Sequence, residues 1–366
     1  MIKLIDTGLV YRNPQPFRRS VHAWHPTLIV LEDSELLCAF DLATAIENVD
    51  YRTYFSHSSD SGQTWSSPTR LFPDEDNRLQ RHTVRISRLR DGSLVGMGSR
   101  WFLEHEDEEL INRETMGMPP NELILLRSAD NGRTWTGPTV VAPPLAGPFE
   151  ICHAIVELAD GRWLYPTSIT KNWDGEAPDG VKSVALVSHD QGESWTEHLD
   201  VLDSYAQGII QFESSVIQLP DSRLLAVSWA FDNRIGKSKP LPYTISTDGR
   251  TFSPPRPTGL DGETSKLVSL GGDLILCVSR RFDKPGLWAT LARIENDEWI
   301  NLDEAPLWQG AESKMFGEQS SADELAALAF GFPQPHLLPD GSVLIVFWCR
   351  EECIHNIRWL RVQVEG

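Results

Sequence analysis

Apolar and polar residues alternate along most of the chain, in short runs separated by tight turns. One unit recurs: an alternating apolar run, a short turn usually of the Asp-Gly type, and a second apolar run. Alternation with period two around such a turn predicts two short antiparallel strands joined by a hairpin. Six copies of this unit occur, at residues 26–40, 84–98, 154–168, 215–229, 266–279 and 335–348.

A second repeat follows the hairpins: a turn with the pattern Ser-x-Asp at the end of a third strand. Asp and Ser side chains bond backbone groups across such a turn, Gly supplies a positive φ, and Trp is expected to pack between neighbouring sheets. A calcium loop at Asp60, Asp130 and Asp190 is the weaker interpretation, because these residues lie in different units. In the fifth unit Trp299 remains but the glycine is lost. Four units end a third strand in a Ser-x-Asp turn: SSDSGQTW (58–65), SADNGRTW (128–135), SHDQGESW (188–195) and the shortened STDGRTF (246–252).

Six units of about four antiparallel strands predict an all-β fold, a single six-bladed β-propeller over residues 1–366. The sixth unit lacks an outer strand, so residues 1–11 are expected to supply it and close the ring. A short helix is expected at 320–330, inside an insertion at 303–329. The predicted blades cover approximately 12–80, 81–148, 149–210, 211–261, 262–329, and 330–366 with 1–11.

Composition narrows the possible partners. The 366 residues include 33 Lys and Arg against 52 Asp and Glu, a net charge of −19. This balance argues against binding to nucleic acid or an anionic membrane surface. Neither a signal-peptide core nor an apolar run of membrane-spanning length occurs, so the chain as given is expected in the cytoplasm, or outside it if a leader was removed to give a secreted or periplasmic protein.

The cysteines give no sign of metal binding. Cys349 and Cys353 are four residues apart, but no second Cys/His pair follows at zinc spacing. Buried free thiols are the expected state of the four that lie in apolar runs, Cys38, Cys152, Cys277 and Cys349. The sequence therefore predicts no metal site and no cofactor.

Strand alternation decides which face of the disc carries function. Both kinds of turn lie on one face, so the other face receives the starts of the first strands and the long loops between second and third strands. Long loops on a rigid scaffold are where binding and catalysis concentrate. Carboxylates, arginines and indoles together suit a sugar. The candidate substrate-binding residues on this face are Trp24, His25, Arg81, His82, Arg85, Glu150, His153, Trp229, Arg280, Arg281 and Gln334.

The S-x-D-x-G-x-[TS]-W repeats resemble the Asp-box, or BNR-repeat, sequences of the sialidase superfamily, over nearly the whole chain. The resemblance implies a carbohydrate substrate and a central active site. Asp50 stands about where the family has its acid/base Asp. Glu213 matches the family's N-E-S-x-V-V-x-L pattern, in which the Glu supports the nucleophile. Arg280 or Arg281 corresponds to a late member of the family's arginine triad.

Departures from that pattern mark a divergent member. Trp24-His25-Pro26-Thr27 stands where F/Y-R-I-P is expected, so the first arginine is missing. Phe332 stands where the nucleophilic tyrosine is expected, and Trp229 where a second arginine is expected. Without two arginines a sialic acid carboxylate loses its bidentate clamp. The sequence therefore predicts a pocket for a glycoside other than, or not only, sialic acid.

Three functions remain open at this point. The first is an exo-acting glycoside hydrolase with Asp50 and Glu213 as the catalytic pair, and Asp41 and Glu150 in reserve. The second is a lyase or epimerase on an acidic sugar, in which a histidine removes a proton and an arginine stabilises the anion; its candidates are His25, His82, His153, Arg81, Arg85 and Arg281. The third is a non-catalytic sugar-binding propeller that uses Trp24, Trp101 and Trp229.

Overall fold

The computed structural model describes residues 1–31, 35–46, 48–74, 78–151, 153–311 and 327–365. Within these ranges the regular structure is almost entirely strand, with one 3₁₀ turn at Tyr205–Gln207 and no α-helix. None of its helical segments is long and apolar enough to cross a membrane. The helix expected at 320–330 falls mostly outside the described residues.

Twenty-six strands form six antiparallel sheets. The chain opens with β1 (Ile2–Tyr11). The first sheet contains β2 (His22–Val30), β3 (Leu36–Ala43), β4 (Arg52–Ser58) and β5 (Thr69–Arg70), and the second β6 (Gln80–Arg88), β7 (Leu94–Phe102), β8 (Glu122–Ser128) and β9 (Thr136–Val141). The third contains β10 (Phe149–Glu150), β11 (Val156–Glu157), β12 (Trp163–Ile169), β13 (Lys182–Ser188) and β14 (Glu197–Leu202).

The remaining sheets follow the same plan. The fourth contains β15 (Ile209–Gln218), β16 (Leu224–Asp232), β17 (Lys237–Lys239), β18 (Pro242–Ser246) and β19 (Arg256–Pro257). The fifth contains β20 (Gly262–Gly271), β21 (Leu274–Arg281), β22 (Leu287–Glu295) and β23 (Glu298–Trp308). The sixth contains β24 (Phe330–Leu337), β25 (Val343–Glu351) and β26 (Ile354–Val364). We call these sheets blades one to six.

The first strand of the chain closes the ring. β1 pairs antiparallel with β26, from Ile2 opposite Val364 to Tyr11 opposite Ile357. The sixth blade thus has the strand order β1-β26-β25-β24 and gains the outer strand that its own segment lacks. The predicted all-β, six-bladed propeller with N-terminal closure is confirmed.

The Ser-x-Asp turns are self-contained hydrogen-bond networks. Ser58 Oγ donates to Asp60 Oδ1 at 2.8 Å and accepts the Gly62 N–H at 2.9 Å. Asp60 Oδ1 also accepts the Thr64 N–H at 2.9 Å, and Trp65 Nε1 donates to the Gly62 carbonyl at 2.9 Å. The same Ser-to-Asp and Gly-to-Ser contacts recur in the turns at 128–135 and 188–195.

The tryptophans of these turns join neighbouring blades. Trp65 packs on the apolar cluster shared by blades one and six, Trp135 on that of blades one and two, and Trp195 within that of blades two and three. These contacts are the ones expected if the repeated turn has a structural role, with its Trp packed between neighbouring sheets. Each turn fixes the end of one blade and contributes an indole to the seam with the preceding blade.

Bulges interrupt the inner strands of four blades at equivalent positions. The register shifts fall between Trp24 and Thr27, Phe212 and Ser215, Glu263 and Lys266, and Gly331 and Gln334. In each bulge one residue has a positive φ, a conformation that costs a non-glycine residue about 1–3 kcal/mol. These residues are His25 (φ 46°), Glu213 (51°), Thr264 (45°) and Phe332 (52°).

The turn aspartates generate a test in acid. Hydrogen bonds, first from the Thr or Ser hydroxyl two residues past the Gly, lower the pKa of Asp60, Asp130 and Asp190 from 3.8 to about 2. Because the folded pKa lies below the unfolded one, the stabilisation is complete above the unfolded pKa and is lost as pH falls from about 4 towards 2. We expect the triple variant Asp60→Asn/Asp130→Asn/Asp190→Asn to show a flatter decline of unfolding free energy across that window, measured by urea titration at each pH.

Asp179→Asn, at an exposed loop aspartate, serves as the control and should follow the wild-type curve. Parallel curves for the triple variant and the wild type would contradict the stabilising role of the turn carboxylates.

Candidate active site

A cavity of about 280 Å³ opens on the face that carries the long loops. All six blades contribute residues to its lining. Four of its residues are those at the bulges: His25, Glu213, Thr264 and Phe332. A bulge breaks the alternation of side chains and re-aims one of them, which explains why these residues reach the cavity.

The bulge residues contact one another in pairs across blade seams. The Thr264 hydroxyl donates to Glu213 Oε2, joining blades five and four. The ring of Phe332 meets that of His25 edge-on, with centroids 5.3 Å apart, joining blades six and one. The strained backbone of each blade is therefore held by contacts from its neighbour.

Glu213 lies beside a second cavity-lining carboxylate. Its backbone N–H donates to Glu150 Oε2 at 3.0 Å, which links blade four to blade three. The buried ammonium of Lys266 donates to the carbonyls of Glu213 and Ser214 at 3.1 and 3.0 Å and fixes the bulge from below. Two carboxylates thus share one cavity on rigid elements.

His25 and Tyr51 lie on the opposite side of the cavity from Glu150 and Glu213. Nδ1 of His25 is 2.5 Å from the Tyr51 hydroxyl, which makes Tyr51 its hydrogen-bond partner. Asp41 Oδ2 lies 3.6 Å from the same nitrogen, beyond hydrogen-bond distance, and acts on it through its charge. Burial lowers the pKa of His25, and Arg85 adds to this, while Asp41 and Glu213 oppose them; the net shift is downward, so the imidazole is neutral at neutral pH.

Asp41 is a completely buried carboxylate beneath His25. It accepts hydrogen bonds from the hydroxyls of Thr53 and Thr83, each at 2.6 Å, and from Arg85 Nη1 at 3.4 Å. Burial alone would raise the pKa of Asp41, but Arg85 and the hydrogen-bond donors outweigh it and hold the pKa below its ordinary value. The carboxylate is therefore ionised and anchors blades one and two to each other.

Arginines give the cavity its positive charges. Arg280 donates from Nε to Glu263 Oε2 at 3.1 Å and from Nη1 to the Phe330 carbonyl at 3.1 Å. Nη2 of Arg280 and Nε of Arg85 are buried without a hydrogen-bond partner among the described residues. Both arginine side chains line the cavity and bring their positive charge to it. The ionic residues of the lining are Arg81, Arg85, Lys171 and Arg280 against Glu150 and Glu213.

Alternation explains the contribution of blade two, whose inner strand β6 has no bulge. Arg81, Thr83 and Arg85 are two residues apart and share one face of the strand, which is the face towards the cavity. The inner strand of blade three is instead split into β10 and β11, and Glu150 lies at the end of the first piece.

The predicted residues divide into those that line the cavity and those that do not. His25, Arg81, Arg85, Glu150, Glu213, Trp229 and Arg280 line it. The other predicted residues are absent from the lining: Trp24, Asp50, His82, His153, Arg281 and Gln334.

Asp50 is an exposed loop residue next to Tyr51. Its carboxylate accepts hydrogen bonds from the Thr44 N–H at 2.9 Å, the Thr44 hydroxyl at 3.2 Å and the Asn48 amide at 2.8 Å. These contacts shape the loop that presents Tyr51. The pairing of Asp50 with Glu213 stays a prediction, while Glu150, the reserve residue, is the carboxylate beside Glu213.

The other residues outside the lining have structural partners. His82 stacks on Phe72 with centroids 4.1 Å apart, and Arg281 bonds Asp283 and Glu304. Burial, reinforced by Lys266, lowers the pKa of His153 to about 3, so it is a neutral buried histidine.

Sequence reasoning missed Tyr51, Thr264 and Lys266. A signal for Thr264 existed in the constant spacing of the repeats, because Arg280 follows Thr264 by 16 positions. The same distance separates the other bulge residues, His25, Glu213 and Phe332, from Asp41, Trp229 and Trp348. Tyr51 had no such signal, since it comes from an irregular loop.

One protein family matches this chain. The family model described as "BNR repeat-like domain" matches residues 104–300, just over half of the chain. The chain belongs to the BNR repeat-like domain family. A search of curated proteins gave no significant match.

Solved structures share the propeller at low sequence identity. A protein of unknown function from Dyadobacter fermentans is 18% identical, with a TM-score of 0.76 over 100% of this chain and 99% of that one. NanB sialidase from Streptococcus pneumoniae (K499G mutant) is 11% identical, with a TM-score of 0.69 over 97% and 70%. The intramolecular trans-sialidase from Ruminococcus gnavus is 12% identical, with a TM-score of 0.61 over 94% and 94%. At such identities the likeness establishes the fold alone.

Within this BNR-repeat chain, three positions that matter in sialidases hold different chemistry. His25, Trp229 and Phe332, which stand where the resemblance expects two arginines and a tyrosine, all line the cavity. The cavity therefore presents a histidine, a tryptophan and a phenylalanine at these three positions.

Asp41 provides a test of how much the buried charge pair with Arg85 contributes to stability. We expect Asp41→Asn to lower the free energy of unfolding by about 3–5 kcal/mol, because it leaves Arg85 as an uncompensated buried charge. Urea unfolding at neutral pH measures this. Asp50→Asn is the matched control, and its exposed site predicts a change of less than about 1 kcal/mol.

The double variant Asp41→Asn/Arg85→Met should recover part of the loss, since the two side chains interact directly. Equal stability of Asp41→Asn and Asp50→Asn would show that the buried carboxylate does not anchor the floor.

Proposed function

We propose that the cavity is the active site of a sialidase-like, exo-acting glycoside hydrolase, whose substrate is a glycoside other than, or not only, a sialic acid. The observation that carries the proposal is the pair of glutamates, Glu150 and Glu213, that line one cavity and are linked by the 3.0 Å hydrogen bond from the Glu213 backbone N–H to Glu150 Oε2. Glycosidases need two carboxyl groups across the scissile bond, one as acid and one as base or nucleophile.

The surrounding residues support this chemistry. The strained φ of Glu213 matches the tendency of strain to be retained at functional sites. Arg85 and Arg280 bring positive charge to the cavity for an anionic substituent of the sugar, and Trp229 offers an indole. Phe332 cannot act as a nucleophile, so the proposal assigns that role to a carboxylate.

A specific contact favours a second candidate, a lyase on an acidic sugar. The Tyr51 hydroxyl and His25 form a short hydrogen-bonded pair in a cavity lined by arginines. In such a pair one group takes the proton α to the sugar carboxylate, and the electrons of that C–H bond form a C=C bond as the neighbouring C–O bond breaks. The other group gives a proton to the departing oxygen, which keeps the electron pair of the broken C–O bond. The product would be unsaturated and would absorb in the ultraviolet.

One set of variants separates the two reactions. We expect Glu213→Gln and Glu150→Gln each to lower kcat/KM for glycoside hydrolysis by roughly 10²–10⁴-fold, the usual contribution of a positioned acid or base. The measurement is release of a chromogenic aglycone from a panel of glycosides, beside an ultraviolet assay on uronate polymers. Glu298→Gln, at an exposed glutamate on the outer strand of blade five, is the control and should leave both assays unchanged.

Asp50→Asn belongs in the same panel, because it tests the acid implied by the sialidase resemblance. Full hydrolysis by both Glu213→Gln and Glu150→Gln would refute the proposed carboxylate pair. Ultraviolet-absorbing products that disappear in Tyr51→Phe would establish the lyase in its place.

A further inference from the structure

One side of the cavity is built from the long loop between β7 and β8. Four apolar side chains of this loop line the cavity and are half-buried: Leu110, Ile111, Met116 and Met118. We call these four residues the apolar wall. Their chemistry contrasts with that of the polar floor, defined here as His25, Arg85, Glu150 and Glu213.

The loop is fastened to blade three rather than hanging over the mouth. Met118 forms a parallel bridge with Asn172, and its N–H donates to the Lys171 carbonyl at 2.9 Å. The Asn112 amide and the Thr115 hydroxyl both donate to the Trp173 carbonyl, at 3.1 and 2.8 Å. These bonds hold the wall in place against blade three.

The turn inside the loop is also fixed. Met116 has a φ of 59°, and hydrogen bonds from the Met116 N–H to the Asn112 carbonyl and from the Asn112 N–H to the Gly117 carbonyl close the turn, each at 2.8 Å. Gly117 is required here, because a Cβ at this position would meet the Asn172 carbonyl oxygen at 1.8 Å. The backbone therefore presents the two methionines on a preformed surface.

Apolar residues of blades three and four continue the wall around the cavity. Sugar hydroxyls placed against such aliphatic surface would lose water without gaining hydrogen bonds, which is unfavourable. Methionine side chains adapt to apolar groups of varied shape. The continuation consists of Ile151, Val181, Ile210, Phe212 and Phe231.

We propose that the apolar wall binds the aglycone, and that the substrates are amphiphilic glycosides, with the sugar on the polar floor and an alkyl or aryl group against the wall. This inference rests on the proposed function, because it takes the floor as the sugar site. Floor and wall belong to one continuous cavity, so one molecule with a polar and an apolar half satisfies both.

A homologous series of glycosides tests the inference. The probes are the methyl, butyl and octyl glycosides of glucuronic acid and of N-acetylneuraminic acid, measured by calorimetric binding to Glu213→Gln and by kcat/KM of the wild type. Each added methylene is expected to tighten binding by roughly three- to fourfold until the wall is covered. The wild-type kcat/KM should rise along the same series.

Substitution of the wall supplies the matched comparison. The variant Met116→Gln/Met118→Gln should reduce the octyl-to-methyl affinity ratio by about tenfold or more, because it replaces apolar contacts with polar groups. Affinity for the methyl glycoside should change by less than about twofold, since that ligand reaches only the floor. Leu302→Gln, at an exposed site on the outer strand of blade five, should leave the whole series unchanged.

The remaining outcomes separate this inference from the proposed function. Turnover of glycosides with equal affinity for methyl and octyl members would overturn the apolar-aglycone inference alone. Binding of octanol as tightly as the octyl glycosides, without turnover of any glycoside, would indicate a lipid site and overturn both. Failure of every glycoside in the series to bind would also overturn both.

Discussion

The site depends on a backbone constraint, the bulge in the inner strands of blades one, four, five and six. In a regular strand, side chains alternate between the two faces of the blade, so few of them could point along the axis of the ring. The bulge turns one residue per blade into the cavity at the cost of a positive φ. Contacts across the seams, from Thr264 to Glu213 and from Phe332 to His25, hold these conformations. Loss of ring closure would therefore disturb the site as well as the fold.

Buried charge connects this backbone to the chemistry of the floor. Asp41 and Arg85 lie under His25, and Glu263 and Arg280 lie under Trp229. Removing one partner of such a pair is costly, so each pair fixes the arginine that reaches the cavity. Lys266 plays a similar role through the carbonyls of the Glu213 bulge. The cavity thus combines rigid cations with two carboxylates, Glu150 and Glu213.

The likeness to solved sialidases is one of fold. His25, Trp229 and Phe332 line the cavity at positions where the sequence resemblance expects other residues. Arg85 approaches the same cavity from blade two. The long loop of blade two adds the apolar wall. A conserved frame with altered side chains is how one fold comes to host several chemistries.

Sequence alone determined the propeller, its closure by residues 1–11 and the face on which the cavity opens, because period-two alternation and the Ser-x-Asp turns are local signals. It also placed His25, Arg81, Arg85, Glu150, Glu213, Trp229 and Arg280 near the cavity, since strand starts on one face must converge. The tertiary structure decided which charged residues are used internally: Arg281 turns to Asp283 and Glu304, and Asp50 caps its own loop. Only the tertiary structure brings the Tyr51 hydroxyl within hydrogen-bond distance of His25. Such contacts join residues from irregular loops and different blades, and their geometry follows from packing around the whole ring rather than from any local pattern.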